Sequence, residues 1–145
     1  EGFKIIDYTV DEYYSDDTPI VMGDVVIRTR LTAGHTPGCT SFFVEVKDED
    51  GKTLTWAMHG GVGTNTINTE YLNKVHLPLS LQQTFLKDCE DMKSIHVDIC
   101  TPSHPSHSDM LKRVPADRRD YRPFIDTEKW AAFLDERAEF VRQVM

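Results

Sequence analysis

The chain opens with short apolar, β-rich runs separated by turn residues. Residues 3–10 read as a short strand, and residues 11–17, acidic and Tyr-rich, as a loop. Apolar runs at 19–22 and 25–31 flank Gly23-Asp24, a tight-turn dipeptide, which predicts a hairpin. Residues 40–46 and 53–58 flank the turn Asp48-Glu49-Asp50-Gly51-Lys52 and predict a second one.

The pattern changes after residue 58. Residues 59–68 carry Gly60, Gly61 and Gly63 with Asn and Thr, and read as an irregular loop leaving a strand end. Ser80 suits the N-cap of a helix whose Leu81, Phe85, Cys89 and Met92 recur at helical spacing on one side. Residues 96–100 form a short apolar strand, followed by a loop over 101–108. Residues 112–123, basic and bounded by prolines, read as an exposed crossing. Asp126 is placed to cap a last helix with the inward stripe Trp130, Phe133, Leu134, Ala138, Val141 and Met145. The order is thus two hairpins, helix, strand, helix. It predicts a two-layer α+β unit with both helices on one face of the sheet. The other face then needs a cover that this chain does not supply.

Composition narrows the function classes. The 145 residues suit one domain over 1–145, and 39% hydrophobic with 28% charged residues is globular. A net charge of −8 argues against a nucleic-acid partner, since phosphate binding wants clustered Lys and Arg. No apolar stretch is long enough to span a membrane. The chain starts at Glu1 without a signal-peptide pattern, which leaves its compartment unread. Cys39, Cys89 and Cys100, an odd number without CxxC, favour buried thiols over a disulfide framework.

Candidate chemistry rests on histidine. Of six, His76 and His96 sit among apolar residues and are expected to pack or cap. His107, three residues after His104, reads as a supporting or simply exposed group. His35, His59 and His104 each follow a predicted strand and lie in a Gly- or Pro-rich loop. If the strand ends share one sheet edge, these imidazoles converge, and imidazole suits zinc. Gly60-Gly61-Val62-Gly63 lacks the Lys of a phosphate-binding loop. Either a turn or a close backbone approach to a ligand explains it.

Gly34-His35-Thr36-Pro37-Gly38-Cys39-Thr40 resembles the GHTPGxT motif of the metallo-β-lactamase superfamily. Val97-Asp98-Ile99-Cys100-Thr101-Pro102-Ser103-His104-Pro105 resembles that family's late strand and the loop delivering its last metal histidine. The resemblance implies the C-terminal half of a four-layer αββα sandwich: a sheet of five to six strands covered by two helices, with zinc at the edge shared with an N-terminal half. It makes His35 and His104 metal ligands. Two departures stand out. The family's HxHxDH signature, which lies in the N-terminal half, is absent. The family's aspartate after the strand following GHTPG falls here on His59, so an anionic oxygen ligand becomes a neutral nitrogen ligand or no ligand.

The resemblance implies a hydrolase of small molecules holding one or two zinc ions once the N-terminal half completes it. Its spacing favours a lactam-like carbonyl among the family's lactams, thioesters and phosphoesters. The general acid or base comes from the N-terminal half. The isolated chain is expected to be inactive and to hold no metal tightly. The competing expectation is a catalytically silent binding or dimerisation module, in which the uncovered sheet face pairs with a second copy.

Overall fold

The computed structural model describes residues 6–145. Its sheet has five strands in sequential order: β1 (Ile20–Met22), β2 (Val25–Leu31), β3 (Thr40–Lys47), β4 (Thr53–Met58) and β5 (Ile99–Cys100). The first three pairings are antiparallel and the last is parallel. Both expected hairpins form. Gly23 and Gly51 take φ of 60° and 78° at their turns, a region that costs glycine little. The strand expected at residues 3–10 lies partly outside the described residues, and residues 6–10 form none.

Three helices follow: α1 (Thr69–Lys74), α2 (Ser80–Met92) and α3 (Lys129–Arg142). The short α1 was not foreseen. It starts at Asn68, whose side chain accepts the Tyr71 N–H at 2.8 Å, and buries only Leu72. His76 closes it with φ 59°, donating its N–H to Asn73, with its side chain exposed rather than packed. Ser80 is the first residue of α2 and not its cap, a role taken by Leu79 without a side-chain bond. Likewise α3 begins at Lys129, three residues after the expected cap. Asp126 still accepts the Glu128 N–H through its carboxylate at 3.3 Å.

One face of the sheet carries the core. Phe43 and Ala57 are register partners, and Phe43 meets Trp130 of α3 edge to face at 5.7 Å. Phe85, Cys89 and Met92 of α2 join Trp130, Phe133, Leu134, Ala138 and Val141 of α3 in this core, while Met145 of the expected stripe is exposed. The Trp130 indole donates to the Met92 carbonyl at 2.9 Å, which ties α3 to the end of α2 without leaving a buried donor unpaired. Arg30, on the same sheet face, reaches Asp88 and Asp91 of α2 at 3.1 Å each.

Side chains alternate along a strand, so the residues next to these core positions point the other way. There the register builds an apolar row across all five strands: Ile20, Ile27, Val44, Trp56 and Ile99. Every member is half-buried, in contrast to the sealed helix side. Strand β5 is shorter than expected. His96 is exposed rather than packed, Val97 turns into the core, and the Asp98 carboxylate captures the Thr55 amide at 2.8 Å. No helix among the described residues is long and apolar enough to cross a membrane.

Candidate functional site

Residues 32–39 leave β2 and return to β3 as a closed loop. The Thr32 N–H donates to the Cys39 carbonyl at 2.8 Å, and Gly34 N–H to the Thr36 carbonyl at 3.0 Å. Below this loop the Thr32 and Ser41 hydroxyls pair at 2.8 Å, fully buried, and Ser41 Oγ also accepts the Gly60 N–H at 3.2 Å. One hydroxyl pair thus joins the 32–39 loop to the loop that leaves β4.

The β4 loop approaches so closely that glycine is required. A Cβ on Gly60 would lie 2.3 Å from the Thr40 carbonyl oxygen, and one on Gly61 would lie 2.8 Å from Cδ2 of His35. The close backbone approach weighed for this glycine-rich run therefore exists, and it is made to Thr40 and to the His35 ring.

His35 is half-buried, and its Nδ1 sits 2.8 Å from the Gly63 carbonyl oxygen and 2.7 Å from Thr66 Oγ1. A carbonyl only accepts, so Nδ1 carries a proton, and in the neutral ring Nε2 keeps its lone pair. Thr66 also donates to the His35 carbonyl oxygen, which holds the ring and its backbone together.

His104 sits at the mouth of the loop after β5, exposed, just before a 3-10 turn over Pro105–His107. That turn brings the His107 ring back to 5.1 Å from the His104 ring, nearly perpendicular to it. His35, His104 and His107 line one cavity of about 240 Å³, with Gly60, Gly61, Val62, Gly63, Asn65 and Ser103. Its lining holds imidazoles, an amide, a hydroxyl and backbone, with no carboxylate. Burial, then the charges of Arg137, His104 and His35, push the His107 pKa below its usual value, and its Nδ1 is buried without a partner. His107 also walls a second cavity of about 430 Å³ together with Lys112, Lys129 and Arg137. Sequence reading gave His107 a minor place. The signal available was its three-residue spacing from His104 behind a proline, since i and i+3 eclipse in a 3-10 turn.

His59 is placed differently. It is fully buried, with its ring 5.3 Å from that of Phe85, and it is not part of the cavity lining. Burial lowers its pKa to about 4, so it is neutral near pH 7. Its Nδ1 accepts the Gly61 N–H at 3.2 Å, and its Nε2 has no partner. An orphaned buried donor costs about 1–3 kcal/mol.

Among the described residues no three His, Cys, Asp or Glu side chains lie close enough to hold a metal ion. A catalytic zinc takes three protein ligands and a water. The described residues alone therefore do not fit zinc. They offer His35, with a free Nε2, and His104 beside one cavity.

No protein-family model matches the sequence, and no curated protein matches it. Solved structures do. The chain superposes with a TM-score of 0.75 on a subclass B3 metallo-β-lactamase of Bradyrhizobium japonicum, at 19% identity, covering 94% of this chain and 50% of that one. The native metallo-β-lactamase of Legionella gormanii matches at 0.76 and 24%, covering 94% and 51%. A metallo-β-lactamase of Cronobacter sakazakii matches at 0.73 and 25%, covering 94% and 52%. The chain spans about half the length of each structure it matches. Its fold is that of half a metallo-β-lactamase: a five-stranded mixed sheet with three helices.

Proposed function

We propose that this chain is the C-terminal half of a zinc-dependent hydrolase of the metallo-β-lactamase superfamily. In this reading it donates His35 and His104 to a site that an N-terminal half of the same fold completes. The observation that carries it is the His35 ring. Metal-binding histidines donate their second ring N–H to a carbonyl or carboxylate, which leaves the other nitrogen free for the metal. The Gly63 carbonyl, 2.8 Å from Nδ1, does this for His35.

The apolar row Ile20, Ile27, Val44, Trp56 and Ile99 supports the need for a second half. A half-buried row of that kind suits the inner face of a sheet-on-sheet sandwich. His35 and His104 would hold zinc only together with ligands from the second half, and a metal so held would supply an acidified water as nucleophile. This half's own work is to orient His35 through Gly63 and Thr66, to present His104 on the loop after β5, and to wall the cavity with the 60–63 backbone. The substrate is a small molecule, and the spacing of the histidine motifs favours a lactam-like carbonyl over thioesters and phosphoesters.

The test is the zinc content of a protein carrying both halves. Stoichiometric zinc that falls on His35→Ala and on His104→Ala supports the reading. A two-half protein that binds no zinc overturns it.

The same apolar row favours a second reading, a catalytically silent module in which two copies pair through their sheets. Sedimentation of the chain alone checks it: a dimer that dissociates on Val44→Lys supports pairing, and a monomer at all concentrations opposes it.

A further inference from the structure

We propose that His59 is a positioning residue rather than a metal donor: its Nδ1 accepts the Gly61 N–H, and the loop so fixed aims the Gly63 carbonyl at His35. The idea rests on His35 as a donor, and it assigns the two histidines opposite tautomers.

A neutral imidazole has one N–H and one acceptor nitrogen. The Gly61 amide points its hydrogen at His59 Nδ1, 3.2 Å away. That nitrogen must be the acceptor, so the proton of His59 sits on Nε2. An imidazole in this state has spent its lone pair inside the protein, and Nε2–H has none to give a metal. His35 is the reverse: Nδ1–H faces the Gly63 carbonyl, and in the neutral ring Nε2 is the acceptor nitrogen. Burial fits the same division. His59 is sealed against Phe85, whereas His35 lines the cavity.

The link between them is four residues of backbone. His59 directly follows β4, where Ser41 Oγ takes the Gly60 N–H and His59 takes the next amide. Two successive amides are thus claimed by side chains, which sets the path of the loop. Gly61 then lies against Cδ2 of His35 and Gly63 against its Cε1. The loop thus lies against both ring carbons that flank Nε2 and supplies the acceptor for Nδ1. His59 therefore acts on His35 through the loop.

The experiment is long-range 15N–1H correlation of the histidine rings in 15N-labelled protein near pH 7.5. The proposal expects His59 with its proton on Nε2 and His35 with its proton on Nδ1. Finding His59 protonated on Nδ1 overturns it, and this reading needs no variant. Two variants then separate positioning from ligation. Asn at this position keeps an acceptor where Nδ1 lies, so His59→Asn retains the His35 tautomer and the Gly61 amide shift. His59→Leu removes the acceptor and gives a mixed His35 tautomer. In a two-half protein, His59→Leu weakens zinc binding about 10–100-fold, the usual range for a group that orients a ligand, and His59→Asn restores most of it. Equal loss in both variants, as expected for a lost ligand, overturns the proposal. A two-half protein that binds no zinc sinks the hydrolase reading instead and leaves the tautomer result standing.

Discussion

The Gly63 carbonyl oxygen lies 2.8 Å from His35 Nδ1, and this contact decides which nitrogen of His35 is available. Gly63 reaches that point because the preceding glycines let the β4 loop pass against Thr40 and the His35 ring.

Packing at Gly60 gives a stability prediction with its own control. A Cβ there would sit 2.3 Å from backbone, where nothing can move aside cheaply, whereas at Gly38 it meets nothing within 4 Å. Gly60→Ala is expected to destabilise by about 1–3 kcal/mol or more, the range of overpacked sites. Gly38→Ala is expected to be close to neutral. Urea unfolding of the two variants checks both.

Trp130 anchors the helix layer. It is 1% exposed, meets Phe43 edge to face, and bonds the Met92 carbonyl. Trp130→Ala is expected to cost about 3–5 kcal/mol, the usual range for emptying such a site. Chemical denaturation measures it.

Burial of His59 makes stability depend on pH. Its pKa is about 4 in the folded chain and near 6.5 when unfolded. Between these values the unfolded state binds the extra proton, so stability rises with pH through that window. The contribution is complete above pH 6.5 and is lost as pH falls towards 4, amounting to about 3 kcal/mol at most. Unfolding free energies at pH 7.5, 5.5 and 4.5 should show that slope in the wild type and a flatter one in His59→Asn.

The chain has two tryptophans, which report on opposite faces of the sheet. Trp130 is sealed in the helix layer, and Trp56 stands in the half-buried apolar row. In Trp130→Phe the remaining Trp56 emission is expected to be accessible to acrylamide. It should shift to the blue and lose quenching when an N-terminal half is added. Unchanged emission would mean that this face is not the one covered.

Much of the fold was legible because it is local. Glycine turns mark both hairpins, and the stripe from Trp130 to Val141 marks α3 with only Met145 misplaced. Helix α1 left no pattern because six residues burying one leucine make too little periodicity to read. Helix starts were misread at Ser80, which begins α2 without capping it. At the site, GHTPG and the loop after β5 pointed to His35 and His104, which the fold brings to one cavity. The burial of His59 was not legible, because it depends on which way the chain turns after β4. The place of His107 beside His104 follows from a 3-10 turn that its three-residue spacing behind a proline signals only weakly.

The central claim, that this chain holds half of an active site, is tested most directly by hydrolysis of a lactam, a thioester and a phosphoester. The assay compares the chain alone with a zinc-loaded protein carrying both halves. The account predicts no turnover above a buffer blank for the chain alone. It predicts turnover of at least one substrate by the two-half protein, abolished by His35→Ala. Robust hydrolysis by these 145 residues alone would contradict it.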